Sequence, residues 1–174
     1  MDIMDLKRLV KLIHEIGNLK NIPRSGWLKI GIKNPESVAE HSFRTAIIAF
    51  FIAYLETRDV EKACKATFLA LIHDIHESRT LDLHKLAKRY VKIKDEPDQL
   101  SLISNLLSEI EDEELKKFVR DADKLELLFQ AKEYSEFINS AMIYVKKLEF
   151  ESSSAKKIAE VCKKTDHRWW LDFE

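Results

Sequence analysis

The sequence predicts an all-α protein, and three observations carry that reading. Apolar residues recur at three- and four-residue spacing along most of the chain, the period at which one side of a helix meets a core. No run of alternating polar and apolar residues argues for a strand. Glycine and proline number only three each among 174 residues, and two of each fall within residues 21–35. Helix-breaking residues are thus concentrated in a single loop.

Each element follows from its local pattern. A first helix is expected over about residues 2–19, with Leu6, Leu9, Val10, Ile13 and Ile16 as its apolar stripe. The loop from Asn21 to Pro35 is long for a compact helical domain, and such loops often carry function. Ser37-Val-Ala-Glu40 reads as a capping box, which puts His41 in the first turn of the next helix. That helix is polar only near its start and apolar on every side from Ala46 to Leu55, so it is expected to run through the core. A third helix is expected over about 59–77, with His73, Asp74, His76 and Glu77 clustered at its far end. Shorter helices are expected over about 82–91 and 98–110. A longer one, about 111–135, carries Leu115, Phe118, Ala122, Leu125 and Phe129 on one stripe. The last two are expected over about 136–149 and 153–165. The whole chain, 1–174, reads as one domain, with a motif-bearing core at about 5–135 and C-terminal helices at about 136–174.

Composition narrows the function classes. Hydrophobic residues make up 45%, charged residues 34%, and the formal net charge is −1. That balance offers no surface for a polyanion, so polymeric nucleic acid is not an expected partner, although a nucleotide remains one. The longest apolar run covers only half of the ~20 residues that span a bilayer, so no membrane is expected. The charged N-terminus does not read as a signal peptide. Two cysteines, Cys64 and Cys162, make no framework and no CxxC pair, which points to a reducing cytoplasm. Cys64, among apolar residues, reads as a small core residue.

His73-Asp74 closes the apolar run Phe68-Leu-Ala-Leu-Ile72. A buried carboxylate needs a cation for company, and imidazole beside carboxylate suits a divalent metal. Two helices with their polar residues at one end suggest a shared polar pocket. His41 and Asp123 are the further candidate ligands; Asp123 has Val119 and Leu127 four residues to either side and projects along an apolar line. Asp121, beside Lys117, reads as solvated. Glu77, four residues after His73, shares its helical face and could orient a water or relay a proton. Arg24, on the Pro/Gly-marked loop, offers a forked guanidinium to phosphate oxygens. Lys124 reads either as a phosphate contact or as a solvated helix lysine, His76 as a supporting or exposed residue, and His84 shows no partnering pattern. His167-Arg-Trp-Trp170 reads as a tail that docks onto the core or a partner subunit.

The order His41, then His73-Asp74, then Asp123 resembles the H…HD…D signature of the HD-domain metal phosphohydrolases. The likeness extends to Ile22-Pro-Arg-Ser-Gly-Trp27, Pro35-Glu-Ser-Val-Ala-Glu-His-Ser-Phe-Arg44, His73-Asp-Ile-His-Glu77 with Asp82, and Asp123-Lys-Leu-Glu126. Together these resemble the 5′-deoxynucleotidase (YfbR-like) branch over about residues 5–135. The resemblance implies an all-α HD bundle with a metal site between core helices. It implies one divalent cation held by His41, His73, Asp74 and Asp123: Mn²⁺, Co²⁺ or Mg²⁺, with Zn²⁺, Fe²⁺ or Ni²⁺ also compatible. The implied reaction converts deoxyribonucleoside 5′-monophosphates (dNMPs) to deoxynucleosides and phosphate. Glu77 then matches the acidic residue beside the metal-bound water, Asp82 a second catalytic carboxylate, Arg24 the substrate-contacting arginine and Trp27 its aromatic partner. In bacterial members that arginine and tryptophan are adjacent; here Ser25 and Gly26 separate them. The family is generally homodimeric, so a homodimer is expected. The alternatives are an HD-type hydrolase of a phosphodiester or nucleoside polyphosphate, and a non-catalytic nucleotide-binding module with a structural metal.

Overall fold

The computed structural model describes residues 3–93, 99–110 and 112–173. Residues 2, 98 and 111, at which three of the expected helices begin, lie outside the described residues. Among those described, the regular structure is helical: α1 (Ile3–Gly17), α2 (Ser25–Leu28), α3 (Val38–Thr57), α4 (Val60–Ile72), α5 (Glu77–Thr80), α6 (Ser104–Ile110), α7 (Glu113–Tyr134) and α8 (Ser153–Lys164), with short 3₁₀ turns between them. One isolated bridge pairs Pro23 with Ser37. The chain forms two compact units, Met1–Phe43 with Leu71–Glu111, and Arg44–Ala70 with Asp112–Glu174.

In the first unit, α1 forms as expected but presents a different face. Leu6, Val10, Ile13 and Ile16 are exposed, while Leu12 is buried together with Leu19, Ile22 and Val38. The capping box is real. The Glu40 amide donates to Ser37 Oγ at 3.2 Å, and the Ser37 amide donates to Glu40 Oε2 at 2.6 Å. Two orphan donors at the start of α3 are thereby satisfied.

The helix expected to continue to Glu77 ends at Ile72. Beyond it the amides of Ile75, Glu77, Ser78 and Arg79 bond to the third preceding carbonyl, at 3.0–3.1 Å. This tighter winding places His73, Asp74 and His76 in a turn, so Glu77 opens α5 and does not share a helical face with His73. The expected helix at 82–91 is likewise a single 3₁₀ turn, Ala87–Arg89. Leu81 adopts φ 63°, a left-handed conformation disfavoured for leucine, and α5 stops there. Downstream, side chains take backbone donors that a helix would use: the Ala87 amide donates to His84 Nδ1 at 3.1 Å.

In the second unit, α7 buries Leu115, Phe118, Ala122 and Leu125 as its pattern predicts. Asp121 is also buried, with no exposed surface, which corrects the expectation of a solvated residue. Its carboxylate accepts from the amides of Glu151 and Ser152 and from Ser152 Oγ, at 2.7–3.1 Å, gathering the donors at the start of α8. Buried Glu126 accepts from Arg44 Nε and Nη2 at 2.9 and 2.8 Å, and Arg44 also donates to Gln130 and Glu133. The residues that close two of the sequence motifs, Arg44 and Glu126, are therefore partners.

Helix α3 is long and apolar enough to cross a membrane by length and composition alone, the test that a core helix also passes. It buries Ala46, Ala49, Ile52 and Ala53, but leaves Ile47, Phe51 and Leu55 exposed at four-residue spacing, so it is not covered on every side. The expected helix at 136–149 is reduced to a 3₁₀ turn at Asn139–Val145. Cys64 is exposed and not a core residue, whereas Cys162 is buried and its thiol is pushed up by that burial. Trp169, Trp170 and Phe173 are exposed, and Trp169 packs edge-to-face on each of the other two at 6.1 Å between centroids.

Candidate metal centre

Within the first unit, three elements converge on Asp74. The start of α3 brings His41, which is fully buried. The turn after α4 brings His73 and Asp74 themselves, and the loop at α2 brings Arg24. Asp74 Oδ2 lies 3.2 Å from His73 Nε2, 3.7 Å from His41 Nε2 and 3.4 Å from Arg24 Nη1. The two imidazole rings are tilted at 52° with centroids 5.5 Å apart. Burial by itself would raise the Asp74 carboxyl. The hydrogen bond and charge of His73, with Arg24 and His41 behind them, instead hold it well below the usual carboxylate range.

Glu77 stands on the same side with the opposite electrostatics. It is only 3% exposed, and among the described residues its Oε2 has no hydrogen-bond partner. Burial first, then the negative charges of Asp74 and Asp82, push its pKa up to about 8; Arg24 and Lys88 oppose them. Two carboxyls three residues apart are thus driven in opposite directions, a separation typical of sites that move protons. His76 also belongs to this cluster. It offers a ring nitrogen that lies, together with a carboxylate oxygen from each of Asp74 and Glu77, in a group spanning no more than 4.8 Å.

Asp82 follows Leu81 and faces the arginine loop. Its Oδ2 accepts from the Ser25 amide at 2.7 Å and lies 4.0 Å from Arg24 Nε. The Arg24 amide in turn donates to the Glu36 carbonyl at 2.9 Å, tying the loop to the approach to α3. Trp27 is 2% exposed, with its indole N–H donated to Glu36 Oε1 at 3.0 Å. That leaves the ring little surface to offer a ligand. Asp123 lies on α7 in the second unit and is half-buried. Lys124 beside it donates to the Glu149 carbonyl at 2.8 Å, a backbone contact within its own unit.

The donors fit a divalent cation on chemical grounds. Two imidazole nitrogens lie within 3.7 Å of one Asp74 carboxylate oxygen, and among the described residues a buried carboxylate oxygen on Glu77 has no donor. Nitrogen with oxygen ligands is the mixture that first-row divalent metals accept. The sequence did not single out Ser25 or Lys88, and it gave His84 no partner. The bond between the His84 amide and Ser25 Oγ, at 3.2 Å, joins segments 59 residues apart.

The chain is similar to known proteins. Residues 16–166 match the family described as HD domain. The 5′-deoxynucleotidase HDDC2 of Xenopus laevis is 34% identical over 146 residues, covering 75% of this chain and 71% of that protein. A solved structure of a predicted coding region from Archaeoglobus fulgidus is 42% identical, with a TM-score of 0.73, covering 94% of this chain and 99% of that one. The cyanophage S-2L HD phosphohydrolase DatZ, solved with dA and one catalytic Zn²⁺ ion, shares the fold at 18% identity and a TM-score of 0.55, over 87% of this chain and 96% of its own.

Proposed function

The chain belongs to the HD-domain family, and on that footing we propose that it is a metal-dependent 5′-deoxynucleotidase. It hydrolyses a dNMP to deoxynucleoside and orthophosphate. The observation that carries this is the convergence of His41, His73 and Arg24 on Asp74 beside an unpartnered, protonation-prone Glu77.

His41, His73, Asp74 and Asp123 would hold the cation, Asp123 entering through its match to the family signature. Mn²⁺, Co²⁺ or Mg²⁺ is the proposed occupant, with Zn²⁺, Fe²⁺ or Ni²⁺ compatible with the same donors. A cation held there would supply Lewis acidity toward a phosphoryl oxygen and a water. The remaining work falls to the chain's own side chains. Arg24 exchanges its carboxylate partners for the phosphate oxygens of the substrate, which its fork fits in pairs. Glu77, its carboxyl pushed up to about 8, takes a proton from the attacking water and returns it to the 5′ oxygen as the phosphorus–oxygen bond breaks. Asp82, already accepting from the Ser25 amide, orients the arginine loop and shapes the approach of that water. We read Trp27 as the buried support of the loop that carries Arg24.

The family match takes in segments of both compact units, which supports reading residues 1–174 as one domain. A homodimer is proposed, supported by the exposed apolar residues Leu6, Val10 and Ile13 on α1 and Ile47, Phe51 and Leu55 on α3. Two free cysteines support a reducing, cytoplasmic setting. The net charge of −1 favours a small nucleotide over a polymer, and no membrane is part of the proposal.

Product analysis by phosphorus NMR tests the reaction class. Incubation of metal-loaded protein with a dNMP is expected to give orthophosphate alone. Cleavage of a diester, or pyrophosphate release from a triphosphate, with the monophosphate left intact, would replace this reading.

A further inference from the structure

The loop that carries Arg24 is joined to the 82–89 segment by a chain of three hydrogen bonds. The Ser25 amide donates to Asp82 Oδ2 at 2.7 Å, the His84 amide to Ser25 Oγ at 3.2 Å, and the Ala87 amide to His84 Nδ1 at 3.1 Å. These bonds fix the 3₁₀ turn Ala87–Arg89 to the arginine loop. Lys88 is the middle residue of that turn, with its amide donated to the His84 carbonyl at 3.1 Å. Its side chain is exposed, and among the described residues no carboxylate lies within ion-pairing distance of it. Its charge reaches Glu77 all the same, acting in the same sense as Arg24.

Charge balance gives this placement a use. A nucleoside monophosphate arrives with close to two negative charges. Asp74 and Asp82 already supply two carboxylates in the first unit, and Arg24 lies against both. Once a divalent cation has offset those carboxylates, Arg24 alone leaves a phosphate dianion only half compensated. A second cation tethered beside the first answers that deficit.

We propose that Lys88 is a second phosphate-contacting cation, held beside Arg24 by the Ser25–Asp82–His84 hydrogen-bond chain so that the two side chains grip the same monoester. The inference rests on the 5′-deoxynucleotidase reading, and it names a substrate contact that the sequence motifs do not include. An ammonium on a flexible stem makes single contacts to phosphate where the guanidinium makes a fork, so Lys88 contributes chiefly to capture and Arg24 to orientation.

The test titrates inorganic phosphate into metal-loaded wild-type protein and into Lys88→Ala, Lys88→Arg and Lys85→Ala variants, and measures KM and kcat for a dNMP on the same samples. Lys85 is an exposed lysine of the same segment and controls for net charge. Lys88→Ala should weaken phosphate binding and raise KM by about tenfold, with kcat held within about twofold; Lys88→Arg should recover most of the loss. Lys85→Ala should stay within about twofold of wild type. Phosphate affinity unchanged by Lys88→Ala, or an equal loss in Lys85→Ala, overturns the proposal. The phosphate titration also separates two failures. If wild type binds phosphate through Lys88 but hydrolyses no monophosphate, the functional reading falls and the cation assignment stands. If wild type binds no phosphate, both fall.

Discussion

Replacing Glu77 with Gln should separate the stability of the metal-free protein from pH between about 5 and 8. Glu77 is 3% exposed, and among the described residues its Oε2 has no hydrogen-bond partner. Burial, then Asp74 and Asp82, raise its pKa from 4.5 to about 8. A carboxyl whose folded pKa lies above its unfolded value favours the fold when protonated. Its contribution is complete below about 4.5 and is lost as the pH rises through about 8. The rise spans about 3.5 pH units, and at roughly 1.4 kcal/mol per unit the ceiling is on the order of 5 kcal/mol. For a chain of this size that corresponds to roughly 10–20 °C in Tm. Calorimetry of wild type and Glu77→Gln in chelator, from pH 5 to 9, reads the difference directly. The wild-type Tm should fall relative to the variant between pH 5 and 8 and then run parallel to it. Added divalent cation at pH 8 should restore more stability to wild type than to the variant. Two curves that stay parallel across the whole range would refute the account of Glu77 as a buried carboxyl in a field of like charge.

Other consequences can be read from stability and selectivity. Asp121→Ala strands the amides of Glu151 and Ser152 and the Ser152 hydroxyl at the start of α8, and should cost roughly 2–4 kcal/mol in urea unfolding. A loss under 0.5 kcal/mol would contradict the capping role. Arg44→Met leaves Glu126 buried without its cation and should cost roughly 3–5 kcal/mol, whereas adding Glu126→Leu to it should recover much of that loss. Trp27→Phe keeps an aromatic ring in the core but removes the indole N–H and its bond to Glu36, so it should lower stability by about 1–2 kcal/mol and leave the ratio of dNMP to ribonucleotide turnover within about twofold. A collapse of that ratio would instead make Trp27 a direct reader of the sugar.

Local chemistry was legible in the sequence where both partners lie within one turn. The Ser37–Glu40 box fixed the start of α3 and with it the position of His41. The His73-Asp74 pair advertised a charge that needed compensation, and the structure brings His41 and Arg24 to it. What the sequence hid was governed by partners far along the chain. Asp121 and Asp123 lie two residues apart on one helix, and only the donors at Glu151 and Ser152, 30 and 31 residues on, make the first a buried cap. Arg44 meets Glu126 across 82 residues, so neither motif alone betrays the pair. Residues 82–91 kept an apolar spacing compatible with helix, and 73–77 followed the apolar run of α4 with no Gly or Pro to stop it. There the tighter backbone winding after Ile72, the left-handed Leu81 and the side-chain bonds of Ser25 and His84 prevailed over propensity. The stripe on α1 had the right period, yet the buried position was Leu12, because periodicity marks an amphipathic face without saying what covers it.

The central claim is most directly tested by orthophosphate release from matched dNMP and NMP pairs. Chelated protein, metal-restored protein and an Asp74→Ala variant should be compared side by side, with bound metal measured on each. Release is expected from the deoxyribonucleotides with a clear preference over their ribose counterparts, abolished by chelation, regained on adding back a divalent cation, and absent together with bound metal in Asp74→Ala. Turnover that persists in chelator or in Asp74→Ala, or a metal-loaded wild type that releases no phosphate from any monophosphate, would contradict the claim.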